Sequence, residues 1–285
     1  MRKFNTAIVG ATGAVGQEFL RLIEERNFPF GELKMLASSR SAGKKINFMG
    51  KEYTVEETTE KSFDGVKFAL FAGGAASKLF APAAVKAGAV VIDNSSNFRM
   101  DPEVPLVVPE VNPQAIARHK GIIANPNCST IIMVMALKPL YNLSKIKRVV
   151  VSTYQAVSGA GREGMQELET EVDAIVNNRP VEPKVLPVAS LDKHYQIAFN
   201  LLPQIDVFKD NLYTKEEMKM IDETRKIMED DAMRITATTV RVPVYRSHAE
   251  SVNVEFESAP YFHKDESLKV KMLRLPLERT LSPYS

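Results

Sequence analysis

Three glycines at intervals of three residues, directly after the first apolar run, constrain the fold of this chain more than any other feature. Residues 6–9 have the pattern of a buried strand, and Gly10, Gly13 and Gly16 lead from it into a helical pattern. Glycines at this spacing permit a tight turn, close approach of a pyrophosphate and close packing of helix on strand. The motif predicts a Rossmann-type, dinucleotide-binding domain, with an ordinary glycine-rich turn as the alternative.

Two later apolar runs end in the same way as the first. Residues 66–71 lead into Ala72, Gly73 and a helical segment, and residues 89–93 lead into a polar loop that ends at Arg99. This alternation predicts a doubly wound parallel sheet, whose ligands bind beyond the carboxyl ends of the strands. Arg99 should therefore lie at the ligand-facing edge, although a solvated surface arginine would fit the same pattern.

The loop after the second predicted strand indicates which dinucleotide binds. Strand 33–37 is followed by Ser38, Ser39, Arg40 and Ser41, where NAD-binding domains usually carry an acid for the ribose 2′-hydroxyl. Serine and arginine side chains instead suit a 2′-phosphate. NADP is therefore the expected cofactor, and a solvent-exposed basic loop is the alternative.

The only cysteine among the 285 residues, Cys128, lies between an apolar run and a helical pattern. We expect it at a helix N-terminus, capped by Ser129 and Thr130, where the helix dipole favours the thiolate. A buried structural cysteine is the alternative. A single cysteine also excludes internal disulfides and fits a cytoplasmic location.

The second half of the sequence has a different pattern. It contains a β-rich run, two helical segments and two further strand-like stretches, at residues 147–155, 163–177, 215–230, 234–244 and 251–256. These elements predict an α+β domain with a mixed, largely antiparallel sheet.

Four polar residues stand out in this half. His248 follows Arg241 by seven positions between two predicted strands, so both reach one site only if the chain bends, for which Pro243 is suited. Glu216 and Lys219 lie three apart on one face of a predicted helix. A routine surface ion pair is the alternative explanation for that pair.

The overall composition excludes several classes of protein. The chain is 45% hydrophobic and 25% charged with a net charge of +2, which provides no strong electrostatic case for a nucleic acid or membrane partner. No run approaches the roughly 20 apolar residues that span a bilayer. The first residues contain too few apolar side chains for a signal peptide, and we expect no metal ion.

Five segments together resemble aspartate-β-semialdehyde dehydrogenases, from residue 2 to about residue 265. They are Gly10–Gly16, Asn94–Arg99, Asn125–Thr130, Tyr154–Gly161, and the pair Arg241 and His248. The resemblance implies NADPH-dependent reductive dephosphorylation of L-4-aspartyl phosphate to L-aspartate 4-semialdehyde and phosphate, in lysine, threonine and methionine biosynthesis. It also implies a dinucleotide domain joined to a dimerising substrate domain, in a homodimer or homotetramer.

The resemblance also implies a role for each matching residue. Cys128 would be the nucleophile that forms a thioester, His248 the acid/base, and Gln155 the residue that orients the substrate. Arg241 would bind the α-carboxylate, Glu216 the α-amine, and Arg99 with Lys219 the phosphate, with Asn127 also at the substrate. NADP(H) would contact Gly10, Thr12, Gly13, Ala14, Val15, Gly16, Ser38, Ser39, Arg40, Ser41, Ala72, Gly73, Ser158 and Gly159.

Two other functions remain open from the sequence. One is N-acetyl-glutamyl-phosphate reductase, which has related chemistry, but an acetylated amine carries no charge for Glu216 to pair with. The other is a nucleotide-binding remnant without catalysis.

The resemblance ends near Ser267, and the last residues, which include Pro276 and Pro283, do not continue the family pattern. The expected organisation is an NADP-binding domain at residues 1–127, a catalytic and dimerisation domain at 128–266, and an atypical tail at 267–285. This tail predicts a truncated or frameshifted family member that is weakly active, poorly soluble and defective in assembly.

Overall fold

The computed structural model describes residues 2–259, and the chain divides after Pro126 into two compact units. The predicted atypical tail at 267–285 lies outside the described residues. Among residues 2–259, no helix has both the length and the apolar character needed to cross a bilayer.

The first unit is a parallel sheet with helices between its strands. Its elements are β1 Phe4–Val9, α1 Ala14–Glu25, β2 Phe30–Ala37, β3 Lys45–Phe48, β4 Lys51–Thr54, β5 Glu56–Glu57, β6 Phe68–Phe71, α2 Gly74–Lys86, β7 Val90–Asp93 and β8 Ile122–Ala124. Six strands form one parallel sheet in the order β5-β2-β1-β6-β7-β8, and β3 pairs with β4 as a separate antiparallel ribbon. The strand order reverses direction at β1, which confirms the doubly wound prediction and makes the end of β1 a switch point where ligands bind.

Strand β1 is buried on both faces, as a central parallel strand must be. Ala7 and Val9 pack in one core cluster with Phe71, whereas Ile8 packs in a second cluster with Leu20. All three strand residues are fully buried. The loop that follows β1 therefore begins from a fixed position.

In its described part, residues 127–259, the second unit contains a three-stranded sheet and three long helices. Its elements are α3 Cys128–Leu143, β9 Ile146–Gln155, α4 Gly161–Val176, α5 Lys215–Met228, β10 Arg234–Arg241 and β11 Ala249–Phe256. The strand order is β10-β9-β11, with β10 parallel and β11 antiparallel to β9.

This arrangement confirms a mixed sheet and corrects one detail of its pairing. Among the described residues the parallel and antiparallel ladders are equally long, rather than mostly antiparallel, and β10 and β11 do not pair with each other. The reason is that α4 and α5 lie between β9 and β10, and such a helical crossover returns the chain parallel to its starting strand.

Two buried glutamates of α4 organise the irregular segment that follows this helix. The Glu167 carboxylate accepts hydrogen bonds from the N–H groups of residues 184–186, at 2.6 to 2.9 Å. Glu171 accepts from Ile197 and Ala198, each at 2.8 Å. Because buried N–H groups need partners, these carboxylates replace the hydrogen bonds that regular secondary structure would supply.

Candidate active site

Three loops meet at the carboxyl edge of the parallel sheet in the first unit. The Thr12 hydroxyl, after β1, lies 3.4 Å from Ser41 Oγ in the 3-10 turn Ser39–Ser41 after β2. A Cβ built on Gly10 would lie 3.3 Å from the Cβ of Ala72, after β6. The predicted cofactor residues of this unit are thus gathered at the switch point of the sheet.

The glycine loop is compatible only with glycine at two of its positions. Gly10 has a φ of +87°, which disfavours any side chain, and a Cβ on Gly16 would lie 2.2 Å from the Gly10 carbonyl oxygen. Gly13 precedes α1, and no side chain caps this helix. Its first N–H groups are therefore free of side-chain acceptors and suit an anion such as a pyrophosphate.

The structure places the predicted nucleotide and phosphate residues of this unit in different environments. Ser38, Ser39 and Arg40 are exposed at the end of β2, where a ligand phosphate has access. Arg99 follows β7 and is only 8% exposed, with its guanidinium donating to the Asn94 carbonyl at 3.1 Å. Burial excludes the alternative of a solvated surface arginine.

Cys128 is the first residue of α3, as the sequence predicted, but the cap differs from the prediction. The Asn127 side-chain oxygen accepts from the N–H groups of Ser129 and Thr130, at 3.0 and 3.3 Å. Asn127 is thus the N-cap, because a capping side chain must precede the first helical residue, whereas Ser129 and Thr130 are already in the first turn.

Asn127 also ties the start of α3 to α5. Its backbone N–H donates to Glu223 at 2.7 Å, and its side-chain amide donates to Glu216 at 2.9 Å. Glu223 lies seven residues after Glu216 on α5, so helical periodicity could have identified it, although sequence reasoning did not. These bonds position Cys128 relative to α5.

Three predicted site residues lie in one row across the mixed sheet. The register pairs Arg241 of β10 with Gln155 of β9. His248 directly precedes β11, and Ala249 pairs with Tyr154, so continuing the register places His248 opposite Gln155. The bend expected between Arg241 and His248 is instead a loop that carries the chain from one side of β9 to the other.

The backbone of Ala156 connects the two ends of this row. Its N–H donates to His248 Nδ1 at 3.0 Å, and its carbonyl accepts from Arg241 Nη1 at 2.8 Å. Ala156 stands at the end of β9 before the 3-10 turn Val157–Ala160, which contains the predicted residues Ser158 and Gly159. A backbone role of this kind has no side-chain signal in a sequence.

Glu216 is the charged centre of the row. Its carboxylate is 5% exposed and accepts from Gln155 at 3.1 Å and from Lys219 at 3.1 Å, in addition to Asn127. Burial opposes its ionisation, but Lys219 and the two amides outweigh burial and hold the pKa of Glu216 below its ordinary value. Lys219 also binds Asp206 at 3.2 Å. The pair is therefore not a routine surface ion pair.

Gln155 is held in one orientation. Thr153 donates to the Gln155 side-chain oxygen at 3.1 Å, and the Gln155 amide nitrogen donates to Glu216. Thr153 is fully buried on the same sheet face. Neither Thr153 nor Asp206 was identified from the sequence. Strand alternation could have indicated Thr153, two residues before Gln155, whereas Asp206 is brought to Lys219 only by the fold.

The pKa of Cys128 is opposite to the sequence expectation. Burial raises the pKa of the thiol and Glu216 raises it further, although Ser129 and Arg241 oppose the change. Part of the residue remains exposed, but the surrounding protein still disfavours the thiolate. The helix N-terminus alone does not determine this pKa, because desolvation and a buried carboxylate act against it.

His248 is likewise shifted toward its neutral form. Burial is the main cause, and Arg241 adds to it, so that the pKa of His248 falls to about 4 although Glu216 opposes the change. At neutral pH the resting site therefore holds a thiol and a neutral imidazole.

Two family models together match most of the chain. "Semialdehyde dehydrogenase, NAD binding domain" matches residues 5–119, and "Semialdehyde dehydrogenase, dimerisation domain" matches residues 137–272. The second match extends five residues past Ser267, near which the resemblance was expected to end.

Individual proteins agree with these matches. An aspartate-semialdehyde dehydrogenase of Bacillus subtilis is 55% identical over 257 residues, which cover 90% of this chain and 74% of that protein. The crystal structure of aspartate semialdehyde dehydrogenase II from Vibrio cholerae, complexed with ASA, has a TM-score of 0.85 at 50% identity, over 90% of this chain and 76% of that one. An aspartate semialdehyde dehydrogenase from Candida albicans, solved with NADP, has a TM-score of 0.66 at 26% identity, over 91% of this chain and 73% of that one.

Proposed function

The chain belongs to the aspartate-semialdehyde dehydrogenase family, and from this premise we propose that it converts L-4-aspartyl phosphate to L-aspartate 4-semialdehyde and phosphate with NADPH. The observation that supports this most directly is the cluster in the second unit. There, Cys128 begins a helix that is tied to Glu216, and Arg241, Gln155 and His248 form one row.

The cluster provides the groups that the chemistry needs. Cys128 attacks the acyl carbon as a thiolate, a sulfur–carbon bond forms, and the carbon–oxygen bond to phosphate breaks to leave a thioester. NADPH, when bound, supplies a hydride to the thioester carbon. The carbon–sulfur bond then breaks, which releases the aldehyde and regenerates the Cys128 sulfur.

Charged side chains of the second unit suit the two ends of the substrate. A guanidinium matches a carboxylate in geometry, and we assign Arg241 to the α-carboxylate. Glu216, a buried anion, would bind the α-ammonium group, and Lys219 would bind phosphate. In the first unit, Arg99 is the proposed additional phosphate ligand.

The ionised state of Glu216 favours this substrate over an N-acetylated one. A buried carboxylate with a lowered pKa gains from a cationic partner, whereas an acetamido group would leave its charge uncompensated. This argument, together with the relatives, favours the aspartyl enzyme over N-acetyl-glutamyl-phosphate reductase.

We propose NADP(H) as the preferred cofactor. The Rossmann-type unit indicates a nicotinamide dinucleotide, and the exposed residues Ser38, Ser39 and Arg40 support a 2′-phosphate over a 2′-hydroxyl. A homodimer, built on the matched dimerisation domain, and a cytoplasmic location that keeps Cys128 reduced complete the proposal.

The reverse reaction tests the proposal. The purified chain should reduce NADP when given aspartate semialdehyde and phosphate, and should not do so without phosphate. The Cys128→Ala variant should lose turnover but should still bind NADP, as measured by calorimetry. The reason is that the glycine loop proposed to hold the cofactor does not include Cys128. Turnover by Cys128→Ala, or a preference for N-acetylglutamate semialdehyde, would refute the assignment.

A further inference from the structure

Asp93, the last residue of β7, carries a buried carboxylate that the proposed reaction does not use. The residue is fully buried. Its Oδ1 accepts a hydrogen bond from the backbone N–H of Ser95 at 3.1 Å, and its Oδ2 accepts from the Ser95 hydroxyl at 2.7 Å. A carboxylate is costly to bury, and here both of these bonds go to one residue of the loop that follows the strand.

The Ser95 hydroxyl holds this loop together. Its single hydrogen is directed at Asp93 in the shortest of its contacts, and its oxygen accepts from the Asn97 N–H at 3.2 Å. Ser77 of α2, which is also fully buried, places its hydroxyl 3.2 Å from the same oxygen. The Asn97 side-chain amide donates to the carbonyl of Gly74, the first residue of α2. The loop is therefore folded around the Asp93 carboxylate and attached to α2.

The peptide group between Asn94 and Ser95 is held at both ends. Its N–H belongs to Ser95 and donates to Asp93, whereas its carbonyl belongs to Asn94 and accepts from Arg99 Nη2 at 3.1 Å. The contacts thus run from the carboxylate, through one planar peptide unit, to the guanidinium. An anion at the N–H end polarises the peptide and strengthens the hydrogen bond that its oxygen accepts.

Asn94 is also anchored to the strands on either side of β7. Its N–H donates to the Phe71 carbonyl of β6 at 3.0 Å, and its side-chain oxygen accepts from the side-chain amide of Asn125, which follows β8. The Asn125 N–H donates to the Asp93 carbonyl at 2.8 Å. Because these bonds fix the residue that precedes the peptide, the bond to the Asp93 carboxylate is the one that sets the orientation of the peptide itself.

We propose that Asp93 is a positioning residue for phosphate binding, because it holds the Asn94–Ser95 peptide and this peptide holds the guanidinium of Arg99. The inference rests on the proposed function, in which Arg99 is a phosphate ligand. Arg99 is only 8% exposed, so a small displacement of its guanidinium would withdraw it from a ligand. Asp93 acts only through Arg99 and takes no part in the making or breaking of bonds.

Asparagine at position 93 keeps the shape of the side chain but cannot reproduce its contacts. With its oxygen toward the Ser95 N–H, its NH₂ group faces the Ser95 hydroxyl oxygen, which already accepts from Asn97. We expect Asp93→Asn to raise the KM for phosphate in the reverse reaction by about ten-fold and to change the KM for NADP by less than about two-fold. An unchanged KM for phosphate, or an equal rise in both constants, would overturn the inference.

A double-mutant cycle separates positioning from a general loss of structure. If Asp93 acts through Arg99, Asp93→Asn should not raise the KM for phosphate further in a protein that already carries Arg99→Ala. Effects that multiply in the double variant would contradict the proposal. Ser77→Ala is the matched control, because it removes a buried hydroxyl of the same cluster and leaves the Asn94–Ser95 peptide untouched. It should keep the native KM for phosphate, and a rise equal to that of Asp93→Asn would also contradict the proposal.

Phosphate binding without turnover distinguishes this inference from the proposed reaction. Inorganic phosphate can be titrated with the purified protein and followed by phosphorus-31 NMR, which requires no hydride transfer. We expect the Kd for phosphate to rise by about ten-fold in Asp93→Asn and by at least as much in Arg99→Ala. Binding that weakens in Arg99→Ala but not in Asp93→Asn would overturn this inference alone. Binding that is absent from the native protein, or that does not depend on Arg99, would overturn the phosphate assignment as well.

Asp93→Ser is the second variant if Asp93→Asn does not fold. A serine hydroxyl can accept from the N–H two residues ahead, but more weakly than a carboxylate does. The Kd for phosphate should therefore rise in Asp93→Ser too, and a native value would overturn the inference.

Discussion

Replacing Glu216 by glutamine perturbs the charged centre of the second unit with little change in shape. The carboxylate accepts hydrogen bonds from Asn127, Gln155 and Lys219. A glutamine loses the charge and must turn its NH₂ group toward at least one of these donors. Burial is the larger cause of the raised pKa of Cys128, and Glu216 is the next, so the variant removes that second cause.

The expected loss of stability follows from these contacts. Hydrogen bonds to charged groups contribute about 1.5 to 3 kcal/mol each, and breaking a buried ion pair costs about 3 to 5 kcal/mol. We expect Glu216→Gln to lower the free energy of unfolding by about 3 kcal/mol at neutral pH. Because the pKa of Glu216 is lowered in the folded state, its contribution is present above the ordinary value of 4.5 and is lost as pH falls through the folded pKa. The deficit of the variant should therefore shrink in acid.

Two measurements separate the electrostatic effect from simple destabilisation. In Glu216→Gln the pH profile of Cys128 alkylation should shift to lower pH than in the native protein. The KM for aspartate semialdehyde should also increase, because the substrate ammonium group loses its partner. Glu217→Gln is the matched control, since this neighbouring buried carboxylate accepts from the backbone N–H groups of Thr214 and Thr239. It should destabilise the fold without moving the alkylation profile. An unchanged profile in Glu216→Gln, or an equal shift in Glu217→Gln, would refute the reasoning.

Three further variants test other parts of the structure. Arg40→Ala should raise the KM for NADP and leave that for NAD nearly unchanged; equal effects on both would show that Arg40 does not contact the 2′-phosphate. The Glu250 carboxylate oxygens are buried and lack a hydrogen-bond partner among the described residues, and burial raises its pKa to about 8. As pH rises from the ordinary pKa of a glutamate to the raised pKa of Glu250, the native protein should therefore lose up to about 1.4 kcal/mol of unfolding free energy per pH unit. Urea unfolding at several pH values should show that Glu250→Gln abolishes this slope. Equal slopes in the native protein and the variant would contradict the prediction. Glu167→Gln should cost about 2 to 4 kcal/mol and expose residues 180–200 to limited proteolysis, because three buried N–H groups lose a charged acceptor; native-like resistance would show that the carboxylate is dispensable.

Contiguous stretches of sequence predicted the local features of this protein. Gly10 and Gly16 could be identified because the reasons for glycine at these positions are local. Gly10 has a positive φ, and a Cβ on Gly16 would lie 2.2 Å from the carbonyl oxygen of Gly10, only six residues earlier. The position of Cys128 at the start of α3 could be predicted in the same way, from an apolar run, a polar turn and a helical pattern. The alternation of such runs also determined the doubly wound class of the first unit.

The geometry of the mixed sheet depended on pairing between distant segments. Arg241, Gln155 and His248 form one row only because β9 lies between β10 and β11, an order that the sequence pattern did not specify. The Asn127 cap is a local contact that the capping rule could have predicted, whereas the bond from its amide to Glu216, 89 positions away, could not be predicted.

The protonation states of the site were decided by the tertiary structure alone. Local chemistry gives two expectations: a helix N-terminus favours a thiolate, and an isolated histidine titrates near neutral pH. Burial and the charge of Glu216 reverse the first expectation by raising the pKa of Cys128, and burial and the charge of Arg241 lower the pKa of His248 to about 4. Desolvation and Coulomb interactions depend on which groups the fold brings together in space, and that arrangement is not a property of any single stretch of sequence.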